Sequence, residues 1–317
     1  YKRQPLEYVT NISNFGIPIP TKPQQMQIKL PYTAQITRNT PTAFIFLIDH
    51  SVSMQNKITL YGEEMTKAEA AARIVNGQIN ELVLRCIKMG DTRHYYDIAV
   101  IGYGEKAYSG WQGELEGRNF VSPEELKNHP YTKIITRKEI RTRKGVQIKE
   151  IEQVQWITAR HDGSWTHYHA AFDYAKELLD KWMTKHHEQD CYPPTIIHIT
   201  DGWFNHASLD TVTQKANELK AMFTNDGNVI LFNIHFTADK DATPIACPIS
   251  KLELDDDYSK ALFDMSSLLP ERYNADIARC LNDTRDGRHV AMGINADAST
   301  LIKLMDIGTP TNISQNK

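Results

Sequence analysis

The sequence predicts an α/β fold: a doubly wound, mostly parallel sheet flanked by helices, with a β-hairpin insertion. Four continuous apolar runs, at residues 43–48, 97–102, 195–200 and 228–236, are typical of strands covered on both faces. Apolar residues at helical spacing lie between these runs. Strands that alternate with amphipathic helices indicate right-handed βαβ units, which assemble a parallel sheet.

The elements follow in chain order from a change in composition near residue 43. Residues 1–42 are rich in Pro, Gln, Asn and Thr and are predicted to be extended, with an edge strand near residues 27–30. After the first strand, Thr66 and Glu69 form a capping-box pattern that starts a long helix reaching Cys86. The remaining predicted elements are helices at 168–182, 212–223, 259–267, 275–280 and 298–305, and a strand at 289–292.

Residues 104–160 interrupt this alternation and are predicted to be an insertion. Segments 131–143 and 146–156 alternate loosely and meet at Lys144-Gly145, a pattern that predicts a β-hairpin. The predicted organisation is an N-terminal extended segment at 1–42, one α/β domain at 43–310 that contains the insertion, and a tail at 311–317.

Composition excludes several classes of protein. The net charge of −3 gives no overall attraction to nucleic acid, and no apolar run approaches the roughly 20 residues that span a bilayer. The four cysteines are widely spaced, which predicts reduced thiols and a cytoplasmic location. Because the chain begins at Tyr1 and not at a methionine, the sequence is compatible with a leading segment that is removed during maturation.

Small oxygen-bearing side chains follow the predicted strands. Asp49-His-Ser51-Val-Ser53 follows the first strand, Thr166 precedes the second helix, and Asp201-Gly202 follows the third strand. In doubly wound sheets the ligand site lies beyond the carboxyl ends of the strands, so these side chains are expected to converge. Carboxylates and hydroxyls suit a hard cation such as Mg²⁺, although Mn²⁺ and Ca²⁺ accept the same ligands.

This ordered set resembles the metal-ion-dependent adhesion site of the von Willebrand factor A family, over about residues 40–240. The resemblance implies that Ser51, Ser53 and Thr166 contact the ion directly, while Asp49 and Asp201 often act through water. It also implies a non-enzymatic module in which an acidic side chain of a partner protein completes the coordination. The sequence departs from the common form of the motif at His50, Val52 and residues 163–165, which leaves metal affinity open.

A second resemblance concerns the C-terminal part of the chain. Residues 261–270 and 295–309 are similar to bacterial intracellular members of the tellurite-resistance type. These are found beside phosphatases, kinases or AAA+ ATPases in stress and defence gene clusters. The resemblance implies a partner from the same operon and a cytoplasmic stress or defence complex.

Four aromatic or imidazole side chains next to the motif are candidates for contact with the partner. His50, Trp165, Trp203 and His206 lie in the loops expected to surround the ion. Exposed aromatic residues at such a position are typical interface anchors. The alternatives are that the tryptophans pack the loops together and that the histidines are merely rim residues.

Three alternative functions, namely a zinc site, a hydrolase and a nucleic-acid-binding protein, fit the sequence less well. The histidines at 161, 167, 169, 186 and 187, near Cys191, fit no standard zinc spacing, and His167 and His169 are expected on different helix faces. A metal-dependent phosphoester hydrolase lacks a spare nucleophile, because the hydroxyls are used as ligands. The basic residues of the hairpin could contact RNA, DNA or an acidic protein face, but a solvated hairpin is favoured, because few aromatic residues accompany them. These basic residues are Lys133, Arg137, Lys138, Arg141, Arg143, Lys144 and Lys149.

Overall fold

The structure is a computed structural model that describes residues 32–309 except 61, 143–144, 162–164, 203, 206, 238 and 240. The edge strand predicted near residues 27–30 and the predicted tail at 311–317 lie outside the described residues. The division of the chain into segment, domain and tail stays a prediction.

Strands and helices alternate along the described chain. The strands are β1 (Thr42–Asp49), β2 (Lys57–Leu60), β3 (Glu63–Thr66), β4 (Ile87–Lys88), β5 (Asp91–Thr92), β6 (Tyr96–Tyr103), β7 (Ala107–Ser109), β8 (Thr132–Thr142), β9 (Gly145–Gln155), β10 (Thr195–Thr200), β11 (Phe223–Thr224), β12 (Gly227–Asn228), β13 (Ile230–Phe236), β14 (Ile245–Ala246) and β15 (Met292–Ala296). The helices are α1 (Lys67–Cys86), α2 (Pro123–Asn128), α3 (Tyr168–Lys185), α4 (Leu209–Ala221), α5 (Asp257–Met265), α6 (Asn274–Leu281) and α7 (Ala298–Gly308).

Seven strands form the central sheet in the order β14-β15-β13-β10-β1-β6-β7. β1 lies between β6 and β10 and pairs in parallel with both, and β13 continues the parallel arrangement to β15. Only the two edge strands of this sheet, β7 and β14, run antiparallel to their neighbours. The mostly parallel sheet that the sequence predicts is therefore confirmed.

Helices cover both faces of this sheet, as a doubly wound fold requires. Phe44 and Phe46 of β1 face one apolar cluster, which also contains residues of α1 and α7. Ile45 and Leu47 face a second cluster, built from α3, α4 and α5. Successive strand side chains point to opposite faces, so β1 contributes to both halves of the core and must be apolar throughout.

The start of α1 follows the predicted capping box. The Thr66 side chain accepts a hydrogen bond from the Glu69 amide, and the Glu69 carboxylate accepts one from the Thr66 amide at 2.8 Å. This reciprocal pair satisfies two amides that the first helical turn cannot satisfy itself. Among the described helices, none is long and apolar enough to cross a membrane.

The strand predicted at residues 289–292 is displaced. β15 begins at Met292, and its pairing with β13 starts at the register Asn233↔Met292. The backbones of His289 and Val290 are engaged instead with the segment after α5, where Val290 forms an isolated bridge with Leu268. The run at residues 289–292 therefore predicted the wrong start for the strand, because its first residues contact a loop and not the sheet.

The insertion contains the predicted hairpin and more. β8 and β9 pair antiparallel from Thr132↔Gln155 to Thr142↔Gly145, which confirms the hairpin. The sequence did not predict that β7 would join the central sheet or that α2 would follow it. Another hairpin, β2–β3, occupies residues 57–66, and the sequence did not predict it.

Asn76 of α1 fastens the end of the insertion to the core. Its side-chain amide donates to the Ile157 carbonyl at 2.7 Å, and its oxygen accepts from the amides of Trp156 and Ile157 at 2.8 and 3.3 Å. Asn76 is fully buried, so its side chain satisfies three backbone groups where water could not replace it.

Replacing Asn76 with Ala should lower the free energy of unfolding by about 2–4 kcal/mol, because buried backbone donors and an acceptor lose their partner. Urea denaturation should show a lower midpoint with an unchanged slope. Glu81→Ala, an exposed change on the same helix, is the matched control and should have little effect. Equal stability of the two variants would contradict this role for Asn76.

Candidate metal centre

The pairing of β1 with β10 brings the two motif aspartates to one edge of the sheet. The register Ile48↔Ile199 places the strand ends side by side. Asp49 is the last residue of β1, and Asp201 directly follows β10. Parallel strands end at the same edge, so the predicted convergence of these carboxylates follows from the topology.

Hydrogen bonds join four of the five predicted ligands. The Ser51 amide donates to Asp49 Oδ1 at 2.8 Å, and the Ser51 and Ser53 hydroxyls lie 3.1 Å apart. The Ser53 hydroxyl donates to Asp201 Oδ1 at 2.6 Å. The turn after β1 thus points both serine hydroxyls toward the carboxylate that follows β10.

Thr166 lies in a segment tied to the loop after β10. Its amide donates to Asn205 Oδ1 and its carbonyl accepts from the Asn205 amide, both at 2.9 Å. Two residues later, the Tyr168 hydroxyl donates to the carbonyl of Gly202 at 2.7 Å. Thr166 is buried, and these contacts hold its segment against the loop that carries Asp201.

A second group of hydroxyls supports Asp49. Thr200 donates its hydroxyl hydrogen to Asp49 Oδ2 at 2.9 Å, and the Tyr168 hydroxyl lies 2.8 Å from Thr200 Oγ1. The Tyr258 hydroxyl donates to the Gly202 carbonyl at 3.0 Å. None of these three residues was predicted as part of the site, although Thr200 is visible in the sequence as the polar last residue of an apolar strand next to Asp201.

Burial makes the negative charge of Asp49 costly. Desolvation raises the pKa of Asp49 to about 6, and the nearby charge of Asp201 adds to this effect, while hydrogen bonds from Ser51 and Thr200 oppose it. A buried carboxylate is stabilised by a cation. The donors around it are carboxylate and hydroxyl oxygens, so the site fits a hard divalent ion.

Lys67 belongs to the candidate centre, although it was not among the residues predicted from the sequence. Its ammonium group contacts Asp201 Oδ2, and the two side chains are only 6% and 0% exposed. A lysine is rarely this buried without a partner. Its place as the first residue of α1 was a usable signal, because the helix dipole disfavours a cation there.

The predicted partner-contacting residues fall into three groups. His50 is 6% exposed, and its Nδ1 lies 2.5 Å from the Tyr108 hydroxyl, so its ring faces the protein interior. Burial, with the charges of Arg160 and His161, lowers the pKa of His50 to about 4. Trp165 is 42% exposed. Trp203 and His206 lie outside the described residues.

The histidines near α3 do not assemble a larger metal site in the part of the chain that the structure describes, where no group of three or more His, Cys, Asp or Glu is placed to hold an ion. The prediction that His167 and His169 lie on different faces is wrong. His167 precedes α3 and is not helical, so the two rings meet with centroids 5.1 Å apart.

The fold and the site together define a doubly wound α/β protein with carboxylates and hydroxyls clustered at the carboxyl edge of its sheet. No family model and no curated protein matches the chain. Among solved structures, it is similar to proximal thread matrix protein 1 from the mussel byssus, at 13% identity and a TM-score of 0.45. That match covers 84% of this chain and 48% of the mussel chain, so this chain spans about half the length of the mussel protein.

Two further structures are similar at comparable or lower levels. One is the same mussel protein with a zinc-occupied MIDAS motif, at 14% identity and a TM-score of 0.43, covering 84% of this chain and 48% of that one. The other is a von Willebrand factor type A protein from Catenulispora acidiphila, at 13% identity and a TM-score of 0.35, covering 63% of this chain and 34% of that one.

His198 lies on β10 below the metal centre and is expected to make stability depend on pH. Its Nε2 accepts from the Tyr103 hydroxyl at 2.6 Å, and its Nδ1 lies 2.8 Å from Asn233 Oδ1. Complete burial lowers its pKa from 6.5 to about 4. Between these values the unfolded chain binds a proton that the folded chain excludes.

The free energy of unfolding should therefore fall as pH drops from 6.5 toward 4, with His198 contributing up to about 1.4 kcal/mol per pH unit. His198→Gln should reduce this slope by about one proton, measured by urea denaturation at several pH values. Asp49 and the other histidines are present in both proteins, so their contributions cancel. An unchanged slope would contradict the role of His198.

Proposed function

We propose that this chain is a von Willebrand factor A-type module that binds a divalent metal ion and, through it, an acidic side chain of a partner protein. The observation that carries the proposal is the hydrogen-bonded connection from Asp49 through Ser51 and Ser53 to Asp201 at the carboxyl edge of the sheet. Mg²⁺ is the proposed ion, and Mn²⁺ and Ca²⁺ suit the same oxygens.

The five predicted ligands have distinct parts in this proposal. The hydroxyls of Ser51, Ser53 and Thr166 would hold the ion directly, and Asp49 and Asp201 would supply charge directly or through water. When bound, the ion supplies an electrophilic position for an incoming carboxylate. Two aspartates balance only the charge of the ion itself, so this position still attracts an acid.

The surroundings of the site favour an acidic partner. Arg160 and His161 lie close enough to His50 for their charges to lower its pKa. The Arg160 guanidinium also lies over the Tyr108 ring, 5.9 Å from its centroid. Val52 and Trp165, which belong to the motif loops, are 51% and 42% exposed and offer apolar contact area to a partner.

The proposed role of both serine hydroxyls as metal ligands argues against their acting as nucleophiles in hydrolysis. A nucleophilic hydroxyl needs a neighbouring base and a free path to substrate. Here the Ser53 hydroxyl donates to Asp201 and the Ser51 hydroxyl lies against Ser53, and both are ligands in the proposed complex. We therefore propose binding in place of catalysis, with a metal-dependent phosphoester hydrolase as the alternative.

We propose a bacterial stress or defence complex of the tellurite-resistance type in the cytoplasm, with an AAA+ ATPase, kinase or phosphatase as the partner. Nucleic acid binding by the basic hairpin is a weaker alternative. Within that hairpin, Lys133 already pairs across the strands with Glu152 at 2.6 Å.

Ser51→Ala should weaken binding of Mg²⁺ or Mn²⁺ on the order of tenfold or more, because it removes one neutral oxygen ligand, equivalent to about 1.4 kcal/mol or more. Isothermal titration calorimetry measures this directly. The variant keeps the Ser51 amide that holds Asp49, so the fold should be retained and circular dichroism should be unchanged.

The matched control is Ser299→Ala, an exposed serine on α7 that is not one of the five predicted ligands, which should leave metal affinity unchanged. Affinity capture with the same proteins then tests the partner. Capture that is lost with EDTA and in Ser51→Ala supports the proposal. Equal metal affinity in both variants, or capture that ignores chelator, contradicts it.

A further inference from the structure

Lys67 brings a positive charge of the chain itself to the proposed metal centre. Its ammonium contacts Asp201 Oδ2, while Ser53 donates to the other carboxylate oxygen, Oδ1. Both oxygens of Asp201 are therefore engaged within the chain, and both side chains of the ion pair are buried. A buried ion pair depends on each member keeping its partner.

The hairpin β2–β3 accounts for this placement. It leaves the motif turn at Lys57 and returns at Thr66, two residues that pair across the strands. The Lys67 amide then donates to the Asn56 carbonyl at 2.8 Å. The hairpin thus brings the first residue of α1 back beside the serines of the motif, where a lysine side chain reaches Asp201.

The charge at the centre follows from these contacts. Asp49 and Asp201 together carry two negative charges, and Lys67 neutralises one of them. A divalent ion that also requires Asp201 would share one carboxylate with an ammonium group in a buried, low-dielectric environment, where like charges repel strongly. His235, on β13, is a further titratable group near both Lys67 and Asp201.

We propose that the Lys67 ammonium competes with the divalent ion for Asp201 and thereby holds the metal affinity of this site low. This inference rests on the proposed metal-binding function and adds its regulation. Loading the metal requires the ammonium to leave the carboxylate, which the flexible four-carbon stem of lysine permits. The site would therefore fill only when divalent ion, or an acidic partner that adds negative charge, is plentiful.

Lys67→Met tests this competition, because methionine preserves much of the buried apolar stem and removes the charge. We expect Lys67→Met to bind Mn²⁺ at least about tenfold more tightly than the wild-type chain. The measurement is electron paramagnetic resonance of free Mn²⁺ during titration. Lys57→Met is the matched control: Lys57 begins the hairpin that precedes Lys67, but its side chain is 70% exposed and pairs with Glu64, so Mn²⁺ affinity should not change.

The outcomes separate this inference from the proposed function. If wild type and Lys67→Met bind Mn²⁺ equally, or the variant binds more weakly, the competition is overturned and the metal site stands. If neither protein binds Mn²⁺, both the competition and the metal site are overturned. Binding by Lys67→Met alone supports both the site and the competition.

A measurement on the wild-type chain covers the case in which Lys67→Met does not fold. Acetylation by an amine-reactive reagent, read by mass spectrometry, reports whether the Lys67 amine is held in its buried ion pair. Labelling of Lys67 should rise several-fold at Mg²⁺ concentrations that saturate calorimetric binding, while labelling of Lys57 stays constant. Constant labelling of Lys67 under those conditions overturns the competition.

Discussion

The placement of two buried carboxylates at adjacent strand ends is the constraint on which the rest of the site depends. Parallel pairing of β1 and β10 fixes Asp49 and Asp201 side by side, and both side chains are buried, where negative charge is costly. The surrounding groups compensate that cost. Ser51, Ser53 and Thr200 donate hydrogen bonds, and Lys67 supplies a positive charge. A divalent cation would offset the same negative charge more strongly than these groups do.

The fold was predictable because its central strands are buried on both faces. A strand such as β1 must be apolar at every position, and this leaves a continuous run that ends abruptly at Asp49. The ligand set was predictable for a related reason, since polar residues that immediately follow such runs lie at one edge of the sheet. The Ser53–Asp201 hydrogen bond joins residues 148 positions apart in the chain, as this topology requires.

The elements and contacts that were not predicted depend on tertiary interactions that leave no pattern in the local sequence. β2 and β3 are only four residues each, too short for an alternating pattern to identify them, and without that hairpin nothing directs Lys67 toward Asp201. The start of β15 was missed because residues 289–290, which directly precede it, bond to the segment after α5 and to Pro248 and not to β13. His50 was expected at the rim, but the ring turns inward toward Tyr108, a residue of the unpredicted strand β7.

The most direct test of the central claim is anomalous diffraction from crystals of the chain grown with Mn²⁺. A single anomalous peak is expected within about 2.5 Å of the Ser51 and Ser53 hydroxyl oxygens, with Asp49 and Asp201 in its first or second shell of neighbours. In that crystal the Lys67 ammonium should have moved away from Asp201. A Mn²⁺ peak elsewhere, with the hydrogen bonds among Asp49, Ser51, Ser53 and Asp201 intact and no ion beside them, would contradict the account.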